Sequence, residues 1–124
     1  MSRILIAEDD NILRNMLIDF LSHFDFDVTG AEDGLMAWNF WNAEKYDILV
    51  TDINMPNMNG IDLLKKIKGV NQKFPIIVVT GVHLESVESN ATDYGAEGFL
   101  LKPFKMKDLV QTINTVLQNC GNNA

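Results

Sequence analysis

The chain alternates between short apolar runs and longer stretches in which apolar residues recur every three or four positions, and this alternation constrains the fold most. The short runs have the length of strands buried on both faces, whereas the intervening stretches have the period of amphipathic helices. The order of strand and helix repeats five times, which predicts an α/β fold with a parallel sheet. The strand-like runs lie at 4–7, 27–31, 47–51, 76–79 and 99–101.

Four of these runs are followed by polar residues that phosphoryl chemistry can use. Glu8 and Asp9 follow the first run, Asp52 the third, Thr80 the fourth and Lys102 the fifth. The carboxyl ends of parallel strands share one edge of the sheet, and ligands bind in the crevice outside that edge. We therefore expect acids, a hydroxyl and an amine to converge there.

Three carboxylates at one edge repel each other, so they would either raise a pKa or recruit a cation. A set of oxygen ligands without His or Cys favours Mg²⁺. Asp52 is the candidate nucleophile, because a carboxylate forms an acyl phosphate when a metal and a cation such as Lys102 balance the charge. Plainer roles stay open: Asp9 could serve a helix N-terminus, and Asp10 is assigned to that role as a cap.

Composition fits one domain, predicted at 1–120 with a polar tail at 121–124. Seventeen acidic and ten basic residues give a formal charge of -7, which disfavours direct binding of nucleic acid. A single Cys120 excludes an internal disulfide, no apolar run is long enough for a membrane span, and the N-terminus does not resemble a signal peptide. These features predict a cytoplasmic location and no membrane contact.

The helical periods predict which faces pack on the sheet. The first helix is expected to bury an apolar stripe that includes Ile12 and Met16, and later helices are predicted at 61–68, 84–94 and 106–117. On the second helix Met36 and Phe40 lie off the face set by its other apolar residues. Either they are exposed together and contact a partner, or the helix is rotated to bury them.

Four segments resemble the receiver domain of two-component response regulators, the CheY-like family. They are 4–10, with the sequence ILIAEDD, 51–60, with TDINMPNMNG, 79–81, with VTG, and 102–104, with KPF. The resemblance covers nearly the whole chain, and the four segments have the family's order and spacing. It implies a flavodoxin-like, doubly wound five-stranded parallel sheet in the order 2-1-3-4-5, with five helices. The chain departs from the family at Asn59, where Asp is commoner before the glycine.

The resemblance also implies roles for individual residues. Asp52 corresponds to the phosphoacceptor, Asp9 to a direct Mg²⁺ ligand, Glu8 to a ligand through water and Asn54 to a ligand through its backbone carbonyl. Thr80 and Lys102 correspond to the switch hydroxyl and the phosphate-pairing lysine, and Phe99 to the rotating switch aromatic. The family keeps the peptide between Lys102 and Pro103 cis.

By this resemblance the chain accepts a phosphoryl group on Asp52 from a sensor histidine kinase or a histidine phosphotransfer protein. It is expected to be a switch that catalyses its own phosphorylation and dephosphorylation rather than an enzyme on an outside substrate. Its surface at the predicted fourth helix, fifth strand and fifth helix would contact an output protein or domain, or a second copy in a homodimer.

Two other functions use similar residues or topology. One is an Mg²⁺-dependent phosphatase of the haloacid dehalogenase type, which carries a second Asp where this chain has Asn54. The other is a flavodoxin-like flavin binder, whose phosphate an acidic edge would repel.

Overall fold

The strands and helices follow the predicted alternation in a computed structural model that describes residues 1–81 and 95–121. The five strands are β1 (Arg3–Ala7), β2 (Asp27–Ala31), β3 (Ile48–Asp52), β4 (Ile76–Thr80) and β5 (Gly98–Leu101). The helices within the described residues are α1 (Asn11–Ser22), α2 (Gly34–Ala43), α3 (Gly60–Val70) and α4 (Met106–Gly121). The helix predicted at 84–94 lies outside the described residues.

All strand pairs are parallel, and the sheet has the order β2-β1-β3-β4-β5. The predicted fold class and strand order are therefore confirmed. The three central strands are buried along almost their whole length, which explains why they read as continuous apolar runs. The helices described are all too short or too polar to cross a bilayer.

Alternation along the strands divides the core into two clusters, one on each face of the sheet. Ile4, Ile6 and Val50 face the cluster that includes side chains of α1 and α4. Leu5 and Leu49 face the cluster that includes side chains of α2 and α3. The sheet is thus covered on both faces, and its carboxyl edge is left to carry polar groups.

The helix caps agree with the sequence. The side chain of Asp10 accepts hydrogen bonds from the backbone N–H groups of Ile12 and Leu13 at 2.9 and 3.2 Å, which confirms its role as the N-cap of α1. Asn59, the departure from the family pattern, caps α3 through the N–H of Asp62 at 2.8 Å. Asparagine performs this task as well as aspartate does, so the departure leaves the start of α3 intact.

The predicted stripe on α1 is only partly correct. Leu17 and Leu21 are buried, but Ile12 is 74% exposed and Met16 is 52% exposed. A surface helix buries only one side of its circumference, and the seven apolar residues among the twelve of α1 are more than that side can hold. The excess forms an apolar surface on α1.

The open alternative on α2 is decided in favour of rotation. Met36 and Phe40 pack, partly buried, against the core cluster beneath α2. Leu35, in contrast, is 45% exposed. The interpretation of Met36 and Phe40 as an exposed pair is therefore wrong.

Candidate functional site

The side chains at the carboxyl ends of β1, β3 and β5 meet at one edge of the sheet. The Nζ of Lys102 donates to Oε1 of Glu8 at 2.7 Å and to Oδ2 of Asp52 at 2.8 Å. Glu8 is 94 positions and Asp52 is 50 positions from Lys102 in the sequence, so it is the parallel topology of the sheet that brings the three together. Glu8 is 3% exposed and Asp52 is 9% exposed, whereas the Lys102 side chain retains 23% exposure. Two nearly buried carboxylates therefore share one ammonium group.

Asp9 completes an acidic cluster with these two carboxylates. One carboxylate oxygen from each of Glu8, Asp9 and Asp52 lies within 4.8 Å of the others, and Asp9 is exposed to solvent. Three carboxylates against one ammonium leave a formal charge of −2 when all are ionised. Oxygens about 2.1 Å from a common Mg²⁺ lie up to about 4.2 Å apart, so small side-chain movements would bring the three into one coordination shell. The donor set, its charge and its spacing all fit a divalent cation.

Burial governs the electrostatics of Glu8. Burial raises the pKa of Glu8 above its ordinary value, although the hydrogen bonds from Lys102 and from the Asp10 N–H partly offset this. For Lys102, burial acts to lower the pKa, but hydrogen bonds to Asp52 and Glu8 and their charges outweigh it, so its pKa is raised. Lys102 therefore stays protonated and presents a fixed positive charge beside Asp52.

The oxygens of Asp52 have well-defined partners. Oδ1 accepts from the Ile53 N–H at 2.7 Å, and Oδ2 accepts from Lys102. Thr51 donates its hydroxyl to the Asp52 backbone carbonyl at 2.8 Å. The backbone also packs tightly here, because a Cβ added to Gly60 would lie 1.9 Å from the Asp52 carbonyl oxygen. The Asp52 side chain is thus held at the end of β3 with one oxygen toward the cluster.

Thr80 and Phe99 lie on neighbouring strands beside this cluster. Thr80 is the fully buried last residue of β4, and its backbone carbonyl accepts from the Lys102 N–H at 2.8 Å. Phe99 pairs in register with Val78, which lies on the same face of β4 as Thr80. Phe99 is partly buried against the cluster beneath α2 and α3. Phe99 and Thr80 therefore lie on the same face of the sheet, on adjacent strands.

The Lys102 to Pro103 peptide is cis, as the resemblance implies. Asn54 lies exposed in the loop after β3, two residues beyond Asp52.

Arg14 is a residue of this edge that the sequence argument missed. Its Nη1 donates to the backbone carbonyl of Glu8 at 2.8 Å, and its Nη2 donates to the side chain of Asn11. This contact ties the turn that carries Glu8 and Asp9 to the first turn of α1. In the sequence, Arg14 is marked only by its position one helical turn after the Asp10 cap. Many arginines with purely structural roles have the same position, so the spacing does not single it out.

Comparison with known proteins agrees with this geometry. The model of the response regulator receiver domain matches residues 4–114. The chain is 35% identical over 115 residues to the chemotaxis protein CheY of Thermotoga maritima, a match that covers 92% of this chain and 96% of that protein. It is 37% identical over 122 residues to the 3',5'-cyclic-nucleotide phosphodiesterase regA of Dictyostelium discoideum, covering 94% of this chain but only 15% of that longer protein.

A solved structure shows the same likeness in three dimensions. The receiver domain of the Francisella response regulator 1452 superimposes with a TM-score of 0.91 at 27% identity, covering 96% of this chain and 98% of that one. These matches identify a response regulator receiver and not a phosphatase of the haloacid dehalogenase type, and they leave no support for a flavin binder. The chain belongs to the family of response regulator receiver domains of two-component signal transduction.

Proposed function

We propose that Asp52 is the phosphoacceptor and that Glu8, Asp9, Asp52 and the backbone carbonyl of Asn54 hold Mg²⁺ during phosphoryl transfer. The observation that carries this proposal is the shared contact of Lys102 with Glu8 and Asp52 at 2.7 and 2.8 Å, next to the exposed Asp9. Bound Mg²⁺ would neutralise charge on the phosphoryl oxygens.

The transfer step follows from this arrangement. An Asp52 carboxylate oxygen forms a bond to phosphorus as the bond from phosphorus to the donor's imidazole nitrogen breaks, and the imidazole leaves with that electron pair. Lys102 turns from the carboxylates to the incoming phosphoryl oxygens. Attack of water on the same phosphorus would release phosphate and regenerate Asp52, so the chain resets itself without acting on an outside substrate.

The switch would use Thr80 and Phe99. The Thr80 hydroxyl moves to donate to a phosphoryl oxygen, which frees space on the face of the sheet that Phe99 shares. Phe99 then turns inward, and the surface around β5 and α4 changes for an output partner or a second copy of the chain. Phosphorylation thus shifts a population between two arrangements.

Phosphorylation by a small donor tests the metal requirement. With acetyl phosphate and Mg²⁺ the chain should incorporate phosphate, and excess EDTA should lower incorporation by about a hundredfold, because the carboxylate cluster then repels the donor. Intact-mass spectrometry measures the phosphorylated fraction, with Ca²⁺ as a divalent control of different size and geometry. Equal incorporation in EDTA would contradict the proposed metal site.

The phosphohistidine donor would dock on the apolar surface of α1. A groove of about 390 Å³ is lined by Leu13 and Met16 of α1, by Met106 of α4 and by Lys102, Pro103 and Phe104. The groove runs from Lys102 at the phosphoacceptor edge to exposed Met16, and a second groove continues from Met16 to exposed Phe24, two residues beyond the end of α1. A protein that presents phosphohistidine to Asp52 must cover this region, which explains why α1 leaves apolar side chains in water.

Met16→Asp is expected to separate the two kinds of donor. With any phosphohistidine protein that phosphorylates the wild-type chain, the rate should fall about tenfold or more, because a charge is introduced into an apolar contact. Phosphorylation by acetyl phosphate should be unchanged. Val70→Asp, which alters a 65% exposed apolar residue at the end of α3, is the matched control. An unchanged rate of protein-to-protein transfer in Met16→Asp would refute this docking surface.

A further inference from the structure

A buried carboxylate outside the acidic cluster contacts the loop that carries Asn54. Asp33 caps α2 and is only 8% exposed. Its Oδ1 accepts from the Met36 N–H at 2.7 Å, and its Oδ2 accepts from the side-chain amide of Asn57 at 2.7 Å. The contact joins residues 24 positions apart in sequence.

The helix cap alone does not account for this carboxylate. Capping needs one oxygen, which an asparagine or serine also provides, whereas burying an ionised group requires partners for both oxygens. The second oxygen of Asp33 accepts its hydrogen bond from Asn57, in the loop at 53–59. Asp33 therefore has a structural task beyond the start of α2.

The loop is held closely at both sides. Asn57 has a φ of 68°, in the left-handed region that asparagine tolerates better than most residues. A Cβ added to Gly34 would lie 2.0 Å from the Met58 carbonyl oxygen, so the loop backbone rests on the first turn of α2. At its base, the Gly60 N–H donates to the Ile53 carbonyl at 2.8 Å. Asn54 lies between these two attachments.

We propose that Asp33 is a positioning residue for the Mg²⁺ site: by holding Asn57, it fixes the loop that presents the Asn54 carbonyl and thereby sets Mg²⁺ affinity. This inference rests on the proposed function of that site. Contacts that orient metal ligands from outside the coordination shell commonly change affinity by about 10- to 100-fold.

Four variants of the full chain test the contact by calorimetric titration with MgCl₂. Asp33→Ser keeps the cap with its single oxygen but leaves no second oxygen to accept from Asn57, and Asn57→Gly removes the donor while tolerating the positive φ. Each should weaken Mg²⁺ binding about tenfold. The double variant Asp33→Asn with Asn57→Asp reverses donor and acceptor and should restore affinity. Asp47→Asn, an exposed carboxylate that accepts from the Arg3 N–H, is the control and should bind as wild type does.

The outcomes separate the inference from the function on which it rests. Failure of the wild-type chain to bind Mg²⁺ would overturn the proposed metal site itself. Wild-type affinity in Asn57→Gly would overturn the positioning role, and any effect of Asp33→Ser would then come from its lost charge. Weak binding by the reversed pair would overturn the positioning role as well. If Asp33→Ser does not fold, Asn57→Gly still decides, because it leaves the α2 cap intact.

Discussion

Asp52→Asn is expected to abolish phosphorylation of the chain by acetyl phosphate, with a loss of about a hundredfold or more. An asparagine has the same shape, and its carbonyl can still accept from the Ile53 N–H, which Asp52 Oδ1 does at 2.7 Å. It lacks the nucleophilic carboxylate and contributes no charge to a metal. Intact-mass spectrometry after incubation with Mg²⁺ and donor measures the loss.

The control for this result is Asp27→Asn. Asp27 is an exposed carboxylate at the start of β2, at the edge of the sheet opposite Asp52, and contacts Arg3. Its replacement removes one negative charge without touching the cluster, so the rate of phosphorylation should be unchanged. Phosphorylation of Asp52→Asn at the wild-type rate would rule out Asp52 as the acceptor.

Lys102→Met is expected to affect both chemistry and stability. In the proposed mechanism Lys102 faces the transferred group, so loss of this cation should slow phosphorylation by about 10²- to 10³-fold. It also leaves Glu8 and Asp52, 3% and 9% exposed, without their ammonium partner. Breaking such a buried ionic contact should lower the free energy of unfolding by about 3 kcal/mol without Mg²⁺. Urea denaturation measures this loss, and added Mg²⁺ should recover part of it by binding the folded state.

Lys105→Met is the matched control, since Lys105 is an exposed lysine three residues along the same segment. It should leave both the phosphorylation rate and the urea midpoint unchanged. A Lys102→Met variant that is as stable and as fast as wild type would show that the short contacts of Lys102 carry neither function nor folding energy.

The sequence predicts the strands and the edge where they end because local and global signals coincide there. Central parallel strands are apolar on both faces, so runs such as 76–79 are visible without knowledge of their neighbours. The carboxyl ends of parallel strands must share an edge, which brings Glu8, Asp52 and Lys102 together. The strand order came from the resemblance to receivers rather than from periodicity, and the structure confirms it.

Periodicity alone is less reliable for the rotation of helices. The stripe of α1 contains more apolar residues than one face can bury, and only tertiary packing decides that Leu17 is buried while Met16 is exposed. On α2, large apolar residues occupy five of the ten positions, so several rotations of the helix fit the pattern, and the one observed buries part of Met36. Where a helix has more apolar residues than the core can accommodate, the remaining ones are exposed on the surface.

Long-range polar contacts have no local signature. Asp33 is recognisable as a helix cap, but its second contact with Asn57 depends on how α2 docks against the loop after β3. The same holds for Arg14, whose carbonyl partner lies across the turn. Contacts of this kind are seen only in the folded chain.

The most direct test of the account is to locate the phosphoryl group chemically. Borohydride reduces an acyl phosphate to an alcohol, so the chain treated with acetyl phosphate and Mg²⁺ should yield homoserine at position 52 when its peptides are sequenced by mass spectrometry. Untreated chain should retain aspartate there. Homoserine at Asp9 or Asp10 instead, or stable phosphate on a hydroxyl or imidazole with Asp52 unchanged, would contradict the account.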